Sequence, residues 1–128
     1  MIKRFQLQSA VCTAAALIAA ALPAQAQTFP VKPIRMIVPF PPGGVDVTVR
    51  LMQNQMAEAL GQPIVLENRG GANGFIGSEL VAKAAPAGST LLTTTSSTLI
   101  AGPLVSANVP FVPLKGFPPV TVIYLPLT

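Results

Sequence analysis

The chain has 128 residues, a formal net charge of +4, no histidine and a single cysteine. A chain of this length supports one small domain and little more. Without histidine, and with only one cysteine, the residues exclude His-dependent catalytic triads, disulfides within the chain and the usual zinc or copper sites.

The N-terminal region has the pattern of a secretory signal. Lys3 and Arg4 form a short basic segment, residues 11–22 form an apolar run, and Ala24-Gln25-Ala26 places small residues before a cleavage point. A membrane-spanning helix is the alternative, but it needs about 20 apolar residues. We therefore predict a cleaved signal peptide over residues 1–26, with Gln27 as the first residue of the secreted protein.

The charge of the remaining chain is small. Removing Lys3 and Arg4 leaves six basic and four acidic residues, which lowers the net charge from +4 to +2. The basic residues are scattered and are not interleaved with aromatic residues, so no nucleic-acid partner is predicted. They are Lys32, Arg35, Arg50, Arg69, Lys83 and Lys115.

The first predicted strand and helix are joined by a proline- and glycine-rich turn. Ile34–Val38 is an apolar run of strand length. The helix is predicted over Asp46–Leu60, with Asp46 as its N-cap and Gly61 just after its end. Its 3-4-4 spacing puts four apolar residues on one face. These are Val49, Met52, Met56 and Leu60.

The turn itself, within the sequence PFPPGGVDVTVR, is a candidate anion-binding loop. Gly43 and Gly44 can adopt positive φ and have no Cβ, so a ligand can approach the backbone closely. The first N–H groups of the following helix lack partners within the helix, and the helix dipole favours negative charge there.

The rest of the chain continues the alternation of strands and helices. Strands are predicted at Pro63–Glu67, Thr90–Thr94 and Val120–Tyr124, and a helix at Gly74–Ala85. The core face of that helix is expected to carry Ile76, Leu80 and Ala84. This order predicts an α/β fold of parallel βαβ units with right-handed crossovers.

Three loops are expected to meet at the carboxyl ends of the strands, where ligands bind in such sheets. They are Pro41–Asp46, the glycine-rich Arg69–Gly74 and the hydroxyl-rich Thr93–Thr98. Backbone donors and hydroxyls without concentrated charge suit a small carboxylate. Each loop also has a purely structural interpretation as a steric glycine turn or a strand end, and Asp46 and Asn73 are more often helix caps than ligand contacts.

No enzymatic constellation is present after residue 26. Four carboxylates remain, and nothing in their spacing pairs them for acid–base catalysis. The turn PPGGVD has neither the Gly-Lys-Ser/Thr ending of a phosphate-binding P-loop nor the spacing of a dinucleotide site. We predict no catalytic residue, no metal site and no cofactor.

Several blocks of the sequence carry a family resemblance. KPIRMIVPFPPGG, ALGQPIVLENRGGANGFIGSELVAKAAPAGSTLL and FVPLKGFPPVTVI, together with the Ser/Thr loop, resemble the Bug or TctC family. These proteins are periplasmic solute-binding components of tripartite tricarboxylate transporters. The resemblance runs from about Phe29 to the end of the chain.

The resemblance implies a two-lobed, periplasmic-binding-protein-like (Venus-flytrap) fold in the periplasm. Such a protein closes on a small carboxylate metabolite and presents it to the membrane permease subunits. Family members hold the carboxylate through backbone amides, hydroxyls and ordered water. The matching residues here are Pro42, Gly43, Gly44, Asp46, Asn73, Gly74, Thr94, Thr95, Ser96, Ser97 and Thr98.

The chain also departs from the family pattern. Family chains are roughly two to three times as long, as two domains require. Residues 27–128 are therefore expected to form the N-terminal part of the first solute-binding domain, without the second lobe, and ligand binding is expected to be very weak or absent. The alternative is a truncated secreted fragment with no binding of its own.

Overall fold

The computed structural model describes residues 28–113 and 115–123. Three short parallel strands form its centre: β1 (Ile34–Val38), β2 (Ile64–Asn68) and β3 (Thr90–Leu92). Their order in the sheet is β2-β1-β3, with Ile34 opposite Ile64 and Arg35 opposite Thr90. The predicted parallel α/β fold is confirmed. The predicted signal peptide and its cleavage point before Gln27 lie outside the described residues.

Two helices connect the strands and lie on opposite faces of the sheet. Helix α1 (Val45–Leu60) joins β1 to β2, and helix α2 (Phe75–Ala82) joins β2 to β3 after a 3-10 turn at Ala72–Gly74. The two connections run in opposite directions across the sheet, so right-handed crossovers place the helices on different faces.

The core between α1 and the sheet contains the buried side chains of Ile34, Met36, Val49 and Ile64. Met56 of α1 packs against this cluster, whereas Met52 and Leu60 lie at its exposed margin. The predicted apolar face of α1 is therefore only half buried. The helix ends as expected, with Gly61 in the left-handed conformation and its N–H donating to the Glu58 carbonyl at 3.3 Å.

Two sequence predictions about helix termini and faces are wrong. Gly44, and not Asp46, is the N-cap of α1, and Asp46 lies inside the first turn. In α2 the expected core residue Ile76 is 53% exposed, while Phe75, Gly77 and Ser78 are buried. The buried face of α2 therefore carries Phe75 and Ser78 in place of the predicted Ile76.

The C-terminal part of the described chain contains an element that the proline-rich sequence did not indicate. A π-helical turn, Ser97–Ala101, leads into the short helix α3 (Gly102–Val105). Beyond it, Phe111 packs edge-to-face between Phe75 and Phe117, with ring centroids 5.5 and 5.3 Å away. This aromatic cluster fastens the segment after α3 to α2.

The predicted fourth strand, Val120–Tyr124, is not observed. Residues 120–123 pair with no strand, and Val120 and Val122 are exposed; Tyr124 lies outside the described residues. The apolar alternation of this segment is therefore not sufficient to form a strand where no neighbouring strand pairs with it. Among residues 28–113 and 115–123, no helix has the length and apolarity needed to cross a membrane.

Candidate functional site

The loop after β1 exposes its two glycines at the start of α1. Gly43 has φ of 121° and Gly44 φ of 48°, and a Cβ built on either would meet no atom within 4 Å. The backbone here is thus both open and in a conformation that favours glycine. Residues 40–45 line a shallow depression of about 400 Å³ at this point. The N-terminus of the 16-residue α1 faces this region, where the Asp46 N–H is already bonded to the Gly43 carbonyl at 3.0 Å and the other first-turn N–H groups have no partner within the helix.

Beside this loop lies a polar cluster in which Asp46 is buried, Asn68 is half-buried and Arg50 is exposed. Asp46 is 3% exposed and accepts hydrogen bonds from Arg50 Nε at 2.8 Å and Asn68 Nδ2 at 3.0 Å. These hydrogen bonds, first that from Arg50 and then that from Asn68, hold the pKa of the Asp46 carboxyl below its usual value. The carboxylate is therefore ionised and already engaged, and it supports the loop.

The loop after β2 uses its glycines for close packing. A Cβ at Gly71 would lie 2.6 Å from Ile76 Cδ1, and a Cβ at Gly74 would lie 2.9 Å from the Thr98 side chain. At Gly77, which lies in α2, an added Cβ would be only 2.8 Å from the Arg69 carbonyl oxygen. This loop has no free backbone comparable to that at Gly43 and Gly44.

The loop after β3 provides hydroxyl groups in different environments. Thr98 is completely buried, and its Oγ1 donates to the Asn73 carbonyl at 3.1 Å. Thr95 and Ser97 share a hydrogen bond of 2.6 Å between their hydroxyls, and Ser96 is exposed. Thr94 Oγ1 is buried and has no hydrogen-bond partner among the described residues. Since buried hydroxyls are normally paired, Thr94 is the group here best suited to a ligand or water oxygen.

The arginines beside these loops are paired with carboxylates. Arg50 bonds Asp46, while Arg35 and Arg69 both bond Glu67, at 2.8 and 3.1 Å. The hydrogen bonds from Arg35 and then from Arg69 lower the pKa of Glu67 to about 2. The two arginines nearest in sequence to the loops, Arg50 and Arg69, are thus already paired. An anion bound at the carboxyl ends of the strands would therefore depend on backbone N–H groups and hydroxyls.

The strand order identifies where along the sheet edge a ligand would lie. In a doubly wound sheet with the order 2-1-3, the ligand crevice opens between β1 and β3, because their following segments leave towards opposite faces. The Gly43–Gly44 loop and the Thr93–Ser96 segment flank that position. The loop after β2 begins on the other side of β1 and reaches the segment after β3 at Thr98, whose Oγ1 donates to the Asn73 carbonyl.

The residues selected from the sequence thus fall into two groups. Pro42, Gly43, Gly44, Thr94, Thr95 and Ser96 lie on the loops that flank the β1/β3 crevice, and Ser97 begins the π-helical turn that follows. Asp46, Asn73, Gly74 and Thr98 are engaged in contacts within the protein. Sequence reasoning missed Asn68 and Arg50; the (i, i+4) spacing of Asp46 and Arg50 on a helix was the available signal. Among the described residues, no three His, Cys, Asp or Glu side chains gather as metal ligands would.

Comparison with solved structures shows the class of protein to which this fold belongs. MatC of Rhodopseudomonas palustris, solved with bound malate, is 38% identical and superposes with a TM-score of 0.65 over 69% of this chain and 30% of its own. The R. palustris protein Rpa4515, solved with adipate, is 31% identical with a TM-score of 0.63 over 66% of this chain and 29% of its own. The described fold is therefore an α/β portion of a periplasmic binding protein.

Sequence comparison gives the family. The profile described as "Tripartite tricarboxylate transporter family receptor" matches residues 48–126, and the chain belongs to this TctC family. Protein BugT of Bordetella pertussis is 44% identical over 105 residues, which cover 80% of this chain and 32% of BugT. The chain spans about a third of the length of the curated relatives that it matches.

Proposed function

We propose that the chain forms a carboxylate-binding part of a periplasmic solute-binding protein that serves a tripartite tricarboxylate transporter. The observation that carries this proposal is the open backbone at Gly43 and Gly44, at the N-terminus of α1 and beside the β1/β3 crevice. Two related proteins of known structure hold dicarboxylates, malate and adipate.

The chemistry of the crevice fits a carboxylate group. Unpaired N–H groups at a helix N-terminus bind anions through hydrogen bonds and through the helix dipole. The Thr94 hydroxyl supplies a buried donor from the opposite side, since it has no partner among the described residues.

We assign different roles to the residues of the site. The backbone N–H groups around Gly43 and Gly44 and the hydroxyls of Thr94, Thr95, Ser96 and Ser97 contact the ligand, and Pro42 forms the rim. Asp46, Asn73, Gly74 and Thr98 keep the loops in place through the contacts described above. The carboxylate of Asp46 in particular would repel an anionic ligand, and its pairing with Arg50 reduces that repulsion.

The wider role of the protein follows from the same family assignment. A receptor of this family delivers its solute to membrane permease subunits and performs no turnover, so we propose these subunits as partners and the periplasm as location. The predicted signal peptide over residues 1–26 agrees with that location.

The affinity of this chain alone is expected to be low. The loops after β1 and β3 are partly open to solvent, and hydrogen bonds to charged groups lose strength when water competes for them. Binding sites for small molecules usually bury most of the ligand, which a two-lobed protein achieves by closing. We therefore expect a dissociation constant of the order of millimolar.

Isothermal titration of the secreted chain with malate and adipate tests the proposal, with the corresponding neutral diamides as controls. Saturable millimolar binding of the dicarboxylates, with none of the diamides, is the expected result. Equal heats for diacids and diamides would contradict recognition of the carboxylate. No saturable binding at tens of millimolar would favour the alternative, a fragment without ligand binding of its own.

A further inference from the structure

Asn68 occupies a structural position that joins the two ends of the Gly43–Gly44 loop. It is the last residue of β2 and lies opposite Val38, the last residue of β1. The chain leaves β1 at this level, passes through Phe40 and returns at Asp46. Asn68 is therefore beside both the entry to the loop and the first turn of α1.

The side-chain amide of Asn68 bonds both of those points. Its Nδ2 donates to the Phe40 carbonyl at 3.1 Å and to Asp46 Oδ1 at 3.0 Å. Its Oδ1 accepts a hydrogen bond from the guanidinium of Arg50 at 3.3 Å. One amide group thus links the start of the loop, the start of the helix and the cation that balances Asp46.

The loop has few other means of holding its conformation. Pro41 and Pro42 have no N–H to donate, and Gly43 and Gly44 lose more conformational freedom on ordering than other residues. The two glycine carbonyls accept local backbone hydrogen bonds, Gly43 from the Asp46 N–H and Gly44 from the Thr48 N–H. Neither fixes the segment between Phe40 and Gly43.

We propose that Asn68 is a positioning residue, which sets the direction of the backbone N–H groups at Gly43 and Gly44 by fixing Phe40 and Asp46 at once. The consequence for ligand affinity rests on the proposed function of this loop; the consequence for loop conformation does not. An amide is needed because the position requires a two-hydrogen donor and an acceptor together. An aspartate would remove the donor and place a second carboxylate against Asp46.

A matched control exists at the other end of β2. Gln53 of α1 donates from Nε2 to the Ile64 carbonyl at 2.7 Å, so it also links α1 to β2 through a side-chain amide. It is remote from the loop. A purely structural role of Asn68 would give Asn68→Ala and Gln53→Ala the same consequences.

The test compares Asn68→Ala, Asn68→Asp and Gln53→Ala in the full chain by three measurements. They are the melting temperature, hydrogen exchange without ligand of the Asp46 and Thr48 amides, which donate to the Gly43 and Gly44 carbonyls, and the affinity for malate. We expect Asn68→Ala and Gln53→Ala each to lower Tm by about 5 °C. The Asn68 variants alone should speed exchange of the Asp46 and Thr48 amides at least tenfold and weaken malate binding about tenfold.

The measurements separate the two proposals. Unchanged exchange of the Asp46 and Thr48 amides in the Asn68 variants, or equal acceleration in Gln53→Ala, would overturn the positioning role. If the unsubstituted chain does not bind malate, the proposed function fails, and the exchange data still decide the role of Asn68. Asn68→Ser, which keeps a polar side chain but is too short to bond Phe40 and Asp46 together, replaces Asn68→Ala if that variant does not fold.

Discussion

The glycine-rich loops after β1 and β2 are similar in sequence, PPGG and RGGANG, and each precedes a helix. In the structure they differ in what surrounds their glycines. A Cβ at Gly43 or Gly44 would meet open space, whereas one at Gly71 or Gly74 would collide with Ile76 or Thr98. The first loop presents its backbone outwards, and the second uses its glycines to bring three segments close together.

This difference shows that glycine has two separate uses at the same edge of one sheet. A positive φ with free space leaves the peptide groups accessible to a ligand, while a positive φ with crowded space serves packing. Substitutions at the two loops should therefore act on different properties of the protein, binding in one case and stability in the other.

The largest expected effect is that of Gly74→Ala. The new Cβ would be placed 2.9 Å from the Thr98 side chain, on a backbone with φ of 85°. Strain and overpacking together should lower the free energy of unfolding by about 3 kcal/mol, measured by urea denaturation. Gly116→Ala is the control, because its Cβ would lie an ordinary 3.7 Å from the nearest atom. Equal stability of the two variants would refute the packing role of Gly74.

The sequence predicts the strands and helices of this structure better than it predicts the contacts of the two loops. Apolar runs, and glycines that end helices, were sufficient to predict β1, β2, α1 and the parallel order of the strands, because those signals are local. The contact of Gly74 with Thr98 joins residues 24 positions apart, and no local pattern reports it. The same holds for Asn68, whose partners Phe40 and Asp46 come from another segment. The site loops were predictable as loops, and their division into contacting and supporting residues was not.

The second comparison is Gly43→Ala with Gly61→Ala. Both glycines have positive φ and open surroundings, and Gly61 lies at the far end of α1. Each substitution should cost about 1 kcal/mol of stability from backbone strain. Only Gly43→Ala should also weaken dicarboxylate binding, by about tenfold, as measured by titration calorimetry. Similar affinities of the two variants would separate the loop after β1 from ligand binding.

Acid should loosen the start of the loop after β2 through Glu67. Its pKa is lowered from 4.5 to about 2 by Arg35 and Arg69, so the ion pairs stabilise the fold above pH 4.5, and this stabilisation is lost as the pH falls towards 2. Because both arginines are about half exposed, we expect a loss of about 1 kcal/mol.

Urea denaturation of the unsubstituted chain, Glu67→Gln and Glu58→Gln between pH 7 and pH 2 measures this contribution. Glu67→Gln should be less stable at pH 7 and should lose less stability on acidification. Glu58→Gln, on the exposed surface of α1, should follow the unsubstituted chain. A Glu67→Gln variant with the full acid dependence would show that this ion-pair cluster does not contribute.

The smallest expected effect is at the surface of α2, away from both loops. Lys83 and Glu79 form an exposed (i, i+4) ion pair. Lys83→Met should change the free energy of unfolding by less than about 0.5 kcal/mol and leave ligand affinity unchanged. If Lys83→Met lowered the free energy of unfolding as much as Gly74→Ala does in the same urea experiment, stability would not depend more on the loops than on the surface of α2.

The most direct test of the difference between the loops is a residue-resolved NMR titration of the chain with malate. We expect saturable chemical-shift changes of the Gly43, Gly44 and Val45 amides and of Thr94, with little change at Gly71 and Gly74. Shifts centred on Gly71 and Gly74, or a uniform small drift at both loops, would contradict this expectation.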